Sequence, residues 1–109
     1  MNPITAPFQN ALSELCRRFR VERLYLFGSG ADGRFEAARS DLDFLVALED
    51  QPPGEYAGNY LDLAQALEQL FQRRVDLVTE RSIRNPYFLE TVLASRRLLY
   101  DRRDEKVAA

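Results

Sequence analysis

Apolar positions recur along the chain with two spacings, one typical of helices and one typical of strands. Over residues 5–20 apolar side chains recur every three or four residues, which predicts an amphipathic helix with Thr5 as its N-cap. Residues 21–27 alternate between the two faces of a strand, and residues 42–48 are apolar on both faces, as expected for a central strand. Residues 30–39 are small and polar, which favours a short helix or turn. The first half of the chain therefore predicts a helix and two strands.

The second half of the chain continues with helices and short strands. Pro52 and Gly54 predict a loop, because both residues interrupt regular structure, and Ser82 is a candidate helix cap. The predicted elements are, in order, a loop, a helix, a strand, a helix and a last strand: residues 49–58, 60–71, 75–78, 82–95 and 98–100. This order predicts an α/β (α+β) fold in which a small mixed β-sheet is flanked by helices.

Length and apolar content favour a single folded unit. The chain has 109 residues, of which 46% are apolar, and this is enough for one domain with its own core. We expect the domain to span residues 1–100 and residues 101–109 to form a flexible C-terminal tail.

Charge and residue usage argue against several kinds of function. A net charge of −2 makes direct nucleic-acid binding unexpected. The sequence has no histidine, which removes His-based catalysis and the usual zinc sites. Its single cysteine, Cys16, lies on the apolar face of the first helix, where a thiol usually packs as a small apolar side chain. No apolar stretch is long enough to cross a membrane, so we expect a cytoplasmic protein without membrane contact.

Two acidic side chains stand where the second strand begins. Asp41 and Asp43 are two residues apart, so they project from the same face of the strand. Their charges repel unless one is protonated, an arginine pairs with them or a divalent cation bridges them, and Mg²⁺ suits this role. Asp76 interrupts the apolar run of the third strand and joins the pair if the two strands are neighbours. Three such acids match what a two-metal phosphoryl or nucleotidyl transfer site needs.

Gly28 and Ser29 follow the first strand, upstream of these acids. Gly28 lets the backbone turn sharply and approach a phosphate, and Ser29 offers a hydroxyl and a backbone N–H. A short helix beginning near residue 30 would point further N–H groups at the same place. Each feature alone is more often an ordinary turn or a solvated strand end, but their joint occurrence favours a site for a metal-bound triphosphate.

This combination resembles the minimal nucleotidyltransferases, the MNT proteins of the DNA polymerase β-like superfamily. Their signature is a strand ending in Gly-Ser, an Asp-x-Asp that opens a second strand, and a third Asp on a later strand. The matching segments are, in order, Leu26-Phe27-Gly28-Ser29, Ser40-Asp41-Leu42-Asp43 and Arg74-Val75-Asp76-Leu77-Val78. The stretch IRNPYFLETVLASRRLLY resembles the C-terminal helix of these proteins, and the resemblance covers roughly residues 8–100.

The resemblance implies Mg²⁺-dependent transfer of a nucleoside monophosphate from a nucleoside triphosphate, with ATP as the expected substrate. Asp41, Asp43 and Asp76 would then be catalytic and would hold two Mg²⁺ ions, while Gly28 and Ser29 would bind the nucleotide. The implied partner is a HEPN-type ribonuclease toxin. The chain would be the antitoxin of that pair, in a hetero-oligomer, and would transfer AMP to a tyrosine hydroxyl of the toxin.

Two alternatives stay open. The family often has Ala-Arg-Gly after the Gly-Ser pair, whereas this chain has Ala31-Asp32-Gly33, and its segment from Ser29 to Asp41 is about one residue longer. These differences fit an antitoxin of weak or absent activity that neutralises its partner by binding alone. The other alternative is a nucleotidyltransferase that acts on a small molecule such as an aminoglycoside.

Overall fold

A four-stranded mixed sheet forms the centre of the fold in the computed structural model, which describes residues 5–28 and 41–103. The strands lie in the order β3-β2-β1-β4. Strand β1 pairs with β2 and with β4 in antiparallel fashion, and β2 pairs with β3 in parallel. The strands are β1 (Val21–Phe27), β2 (Leu42–Leu48), β3 (Val75–Val78) and β4 (Arg97–Asp101). The arrangement confirms the predicted α+β class, and the first three strands have the predicted bounds.

Within residues 5–28 and 41–103, three α-helices and two single-turn 3₁₀ helices accompany the sheet. The α-helices are α1 (Gln9–Arg18), α2 (Pro53–Phe71) and α3 (Pro86–Ser95), and the 3₁₀ helices span Ala6–Phe8 and Glu80–Ser82. Thr5 is the N-cap of the first 3₁₀ helix, so the predicted first helix begins in 3₁₀ form and continues as α1. None of the helices in the described ranges has the length and apolar character needed to span a membrane.

Helices α1 and α2 close one face of the sheet. Their apolar side chains, among them Leu12 and Cys16 of α1 and Leu63 of α2, meet the alternate side chains of β1 and β2 in one buried cluster. Phe44 of β2 is fully buried in this cluster, and its ring centroid lies 5.8 Å from that of Phe71. The burial of Cys16 agrees with its predicted packing role.

Helix α3 covers part of the opposite face. Val92 of α3 packs with Phe27 of β1 and Leu45 of β2 in a second, smaller buried cluster. Phe88 of α3 lies edge-on to Phe27, with ring centroids 6.2 Å apart, yet it remains 46% exposed. The described residues therefore cover only part of this face, which is the face that carries the acids.

The predicted loop over residues 49–58 is wrong for its second half, because α2 already begins at Pro53. Proline fits the first turn of a helix, since its fixed φ suits that turn and its missing N–H needs no partner there. Gly54 and Gly58 lie within the helix, and apart from adjacent residues and the helix's own backbone no atom lies within 4 Å of the position that a Cβ would take at either residue. The glycines thus weaken the helix without ending it.

The last helix begins later than predicted. Ser82 does not cap it but exchanges hydrogen bonds with Thr79 around the 3₁₀ helix. Asn85 is the true N-cap, and its side-chain oxygen accepts hydrogen bonds from the N–H groups of Tyr87 and Phe88. Pro86 explains the shift, because a proline disfavours helical backbone at the residue before it.

Strand β4 ends at Asp101, which is buried and accepts hydrogen bonds from the backbone N–H and the guanidinium of Arg103. Residues 104–109 lie outside the described residues. The domain of residues 1–100 and the flexible tail of residues 101–109 therefore stay predictions.

Truncation of the central ring tests the assigned core. We expect Phe44→Ala to lower the free energy of unfolding by about 3–5 kcal/mol, because it removes a fully buried aromatic side chain and leaves a cavity. Leu61→Ala is the matched control, since Leu61 of α2 is 65% exposed and its truncation should change stability by less than about 0.5 kcal/mol. Urea denaturation of both variants measures the difference, and equal effects would contradict the assigned core.

Candidate active site

The parallel pairing of β2 with β3 brings two of the predicted acids together. Asp43 of β2 lies directly opposite Asp76 of β3, and the flanking pairs Leu42–Val75 and Phe44–Leu77 keep the same register. The carboxyl groups of Asp43 and Asp76 face each other closely enough to share a hydrogen bond. Both side chains therefore project from the face of the sheet that α3 only partly covers.

The negative charges of Asp43 and Asp76 repel each other. Partial burial, followed by the negative charge of Asp76 and a hydrogen bond with its carboxyl group, raises the pKa of Asp43 to about 6 from 3.8. The charge of Asp41 adds to the effect. Two facing carboxylates do not both ionise readily, so the pair favours either a shared proton or a bound cation.

Gly28 lies against this pair. Its φ is +72°, a left-handed backbone conformation that glycine adopts without strain. A Cβ at this position would stand 2.7 Å from Oδ2 of Asp43. Only glycine therefore allows both the turn that ends β1 and the close approach of the Asp43 carboxylate.

The structure says less about the other two predicted site residues, Asp41 and Ser29. Asp41 lies just before β2 and is near enough to act electrostatically on Asp43. Within residues 5–28 and 41–103, no group of three acidic or cysteine side chains is arranged so that it could hold a metal ion by itself. The structure thus assembles a carboxylate pair with a third acid beside it, and Ser29 lies outside the described residues.

The donor set is chemically suited to Mg²⁺. This ion prefers oxygen ligands, binds through one or two carboxylates, and completes its shell with water and substrate phosphates. Asp43 and Asp76 supply the two carboxylates, and a cation there would relieve the repulsion that raises the pKa of Asp43. The pair fits such an ion without a third protein ligand.

A cleft of about 440 Å³ opens beside the acids, between the sheet and α3. Asp43, Asp76 and Gly28 line one part of it. The rest of its wall comes from β1, β3 and α3 and is mainly apolar: Phe27, Leu77, Val78, Phe88, Thr91, Val92 and Ser95. The volume is in the range of a small-molecule site, with a few polar groups set in an apolar lining.

The α3 residues of this wall were not recognised as site residues from the sequence. Phe88, Val92 and Ser95 recur at helical spacing, so they share one side of the helix. That spacing gave the signal for a buried helix face. It did not reveal that the face would border the acids, because this depends on how α3 crosses the sheet.

Comparison with known proteins identifies the family to which the chain belongs. A sequence profile described as the nucleotidyltransferase domain matches residues 9–99. The chain belongs to this nucleotidyltransferase family. The match spans β1, β2 and β3, the strands that carry Gly28 and the acids.

Sequence relatives of this nucleotidyltransferase come from Methanocaldococcus jannaschii. One is 33% identical over 75 residues, which are 69% of this chain and 73% of the relative. A second is 31% identical over 78 residues, which are 72% of this chain and 76% of the relative. Both carry the name "Putative protein adenylyltransferase".

Solved structures agree with the sequence relatives. One described as a "putative minimal nucleotidyltransferase" is 36% identical, with a TM-score of 0.69, and the match covers 84% of this chain and 88% of that one. A chain of a toxin–antitoxin crystal structure with AMP-PNP is 27% identical, with a TM-score of 0.65. The match covers 91% of this chain and 78% of that one. The resemblance to the minimal nucleotidyltransferases is thus confirmed.

Replacement of Gly28 tests the tight packing of this nucleotidyltransferase at its turn. We expect Gly28→Ala to lower the free energy of unfolding by about 1–2 kcal/mol, because alanine resists a positive φ. The new methyl group should also push the Asp43 carboxylate aside. Gly58→Ala is the matched control, since it lies in α2 with free space around it and should raise stability by about 0.5–1 kcal/mol. Equal changes in the free energy of unfolding for Gly28→Ala and Gly58→Ala, measured by chemical denaturation, would contradict the role of Gly28.

The raised pKa of Asp43 predicts a pH dependence of stability. The folded chain binds this proton more tightly than the unfolded chain does, so the stability that Asp43 contributes is greatest below the unfolded pKa of 3.8 and is lost as the pH rises through about 6. Asp43→Asn removes the effect. We expect the variant to have a higher Tm than the parent at about pH 8 and the difference to shrink towards about pH 4.

Asp62→Asn is the control for this measurement, because Asp62 is an exposed acid on α2. Its Tm should follow that of the parent at both pH values. A constant difference between Asp43→Asn and the parent across the pH range would contradict the coupled pair.

Proposed function

We propose that this nucleotidyltransferase transfers AMP from ATP, with Mg²⁺, to a tyrosine hydroxyl of a HEPN-type ribonuclease toxin and acts as its antitoxin. The observation that carries the proposal is the facing pair of Asp43 and Asp76 beside the Gly28 turn, at the edge of a nucleotide-sized cleft. Membership of the family supports nucleotidyl transfer as the reaction. The chain and its toxin would form a cytoplasmic hetero-oligomer.

The nucleotide and the acceptor are inferred from the relatives. The name that the M. jannaschii relatives carry supports a protein acceptor and an adenylyl group. The toxin–antitoxin structure with AMP-PNP supports both an adenine nucleotide and a toxin partner. The sequence resemblance to MNT antitoxins narrows the partner to a HEPN-type protein.

In the proposed reaction the acceptor oxygen forms a bond to the α-phosphorus of ATP while the bond between that phosphorus and the α,β-bridging oxygen breaks. Pyrophosphate leaves, and the hydroxyl proton is released. Little covalent chemistry is needed from the protein, whose task is to align the oxygen and to neutralise charge. Mg²⁺, when bound, supplies positive charge for the triphosphate.

Each residue of the site has a role in this scheme. Asp43 and Asp76 would hold Mg²⁺, with Asp41 adding negative charge that strengthens the attraction. Asp76 is the more exposed of the facing pair and is the better placed to meet the incoming acceptor hydroxyl or to take its proton. Gly28 and Ser29 would hold the phosphates with their backbone N–H groups.

A second candidate is neutralisation by contact alone. Asp32 stands where the family often has an arginine, and a negative charge near a triphosphate would weaken nucleotide binding. In that case the acids would be dispensable for the antitoxin role, although the fold would still be required.

A transfer assay tests the proposal. Incubation with the HEPN-type protein encoded beside it, α-labelled ATP and Mg²⁺ should place the label on the partner. Asp43→Asn and Asp76→Asn should each lower the transfer rate by about 100-fold or more, because positioning of the reacting groups is lost. Chelation of divalent cations should stop the reaction of the parent protein.

Asp62→Asn controls for the loss of a surface charge and should transfer label like the parent. Toxin neutralisation in cells separates the two candidates. If Asp43→Asn and Asp76→Asn still neutralise the toxin fully, the contact-only function replaces the adenylyltransferase function.

A further inference from the structure

The hydroxyl of Ser95, at the end of α3, is buried but has no hydrogen-bond partner among the described residues. A serine hydroxyl has one donor and two acceptor sites, and a buried hydroxyl is normally paired. Leaving one unpaired destabilises a folded chain by about 1–3 kcal/mol. An unpaired buried group therefore calls for a partner that residues 5–28 and 41–103 do not supply.

Ser95 lies in the wall of the cleft that also contains Gly28, Asp43 and Asp76. It follows Val92 by three residues on the side of α3 that meets the sheet. Ser95 and the acids therefore border the same open space, while the hydroxyl oxygen itself is buried. A rotation of the Ser95 side chain about its Cα–Cβ bond would turn the hydroxyl towards a molecule that enters this cleft.

Thr91 provides an internal comparison. It lines the same cleft, yet its hydroxyl already donates a hydrogen bond to the backbone carbonyl of Tyr87, with a distance of 3.0 Å between the oxygens. That bond is made within the helix and needs no ligand. Of these two cleft hydroxyls, only the one of Ser95 is left for an incoming molecule.

The composition of the wall indicates which part of a ligand comes near Ser95. Phe27, Phe88 and Val92 give this part of the cleft an apolar surface, which suits a nucleoside better than a phosphate chain. The phosphates belong at the Gly28 turn and the acids. Because Gly28 and Ser95 border one cleft, a nucleotide with its phosphates at the turn can extend its nucleoside towards Ser95.

We propose that the Ser95 hydroxyl forms a hydrogen bond with the nucleoside part of the bound nucleotide and so strengthens nucleotide binding. This inference rests on the proposed function, since it needs a nucleotide in the cleft. It adds a binding residue that belongs neither to the Gly-Ser turn nor to the three acids.

Binding of two probes to the parent protein and to Ser95→Ala tests the inference. The probes are an ATP analogue with a methylene bridge between the α- and β-phosphates, which cannot transfer AMP, and inorganic tripolyphosphate, which lacks a nucleoside. In the presence of Mg²⁺, calorimetry should show about three- to tenfold weaker binding of the ATP analogue to Ser95→Ala. Binding of tripolyphosphate should be the same for both proteins.

Ser13→Ala is the matched control, because it removes a serine hydroxyl from α1, a helix that packs on the opposite face of the sheet from the cleft. It should bind the ATP analogue like the parent. Ser95→Ala should also keep or raise the Tm of the free protein, since alanine favours the helix and removes an unpaired buried group.

Four results would overturn the inference. Equal affinity of Ser95→Ala and the parent for the ATP analogue would overturn it. This conclusion would also hold if Ser95→Ala raised the KM for the acceptor protein, because Ser95 would then serve the acceptor and not the nucleotide. An equal loss for tripolyphosphate would place Ser95 at the phosphates, and a lowered Tm would indicate a bond within the protein. A parent protein that binds neither probe would overturn the proposed function itself, and with it this inference.

Discussion

The parallel register of β2 and β3 is the constraint on which the site depends. It sets Asp43 opposite Asp76, so that two carboxylates from segments far apart in sequence face each other. Side chains alternate between faces along a strand, so a slip of one residue would send Asp76 to the closed face of the sheet. The apolar neighbours Phe44 and Leu77, buried on that closed face, hold the register. The core thus positions the acids.

The uneven cover of the sheet turns this register into a site. Helices α1 and α2 close one face with a continuous apolar cluster, whereas among the described residues α3 is the main cover of the other face. Val92 fixes α3 to the sheet, while Phe88 remains half exposed beside Phe27. Because α3 has only ten residues, it does not cover all of this face, and within the described part of the chain a cleft lies between α3 and the acids. Partial burial also gives Asp43 its raised pKa.

Much of this architecture could be predicted from the sequence. Strands β1, β2 and β3 were predicted with their observed bounds, because their apolar runs are short and clearly bounded. The convergence of Asp43 with Asp76 followed from treating two strands as neighbours, and the register confirms that they are. The role of Gly28 was recognised only in part, since its contact with Asp43 depends on the path of the chain after β1.

The errors have identifiable physical causes. Pro52 and Gly54 indicated a loop, but a proline at a helix start and an exposed glycine are both compatible with α2. For α3, the polar side chain of Ser82 suggested a cap, whereas Pro86 displaced the start of the helix to the residue after Asn85. Local signals of this kind are ambiguous until tertiary contacts select one of them. The cleft wall on α3 was missed for the same reason, because sequence periodicity identifies a buried face without its neighbour.

Three local features lie together at this end of the sheet. Each one either lowers the stability of the free chain or restricts which residue can occupy its position. Burial and the facing carboxylate raise the pKa of Asp43, the Asp43 carboxylate leaves no room for a Cβ at Gly28, and the buried Ser95 hydroxyl lacks a partner among the described residues. Such features persist where the surrounding fold is stable enough to tolerate them, and they cluster at functional sites. The residues that carry these features border a single cleft, and under the proposed function each would serve a different part of one ligand: a cation, a phosphate and a nucleoside. A metal-bound nucleotide is the simplest molecule that satisfies all three together, and this coincidence argues for a nucleotide site more strongly than any one of the features does alone.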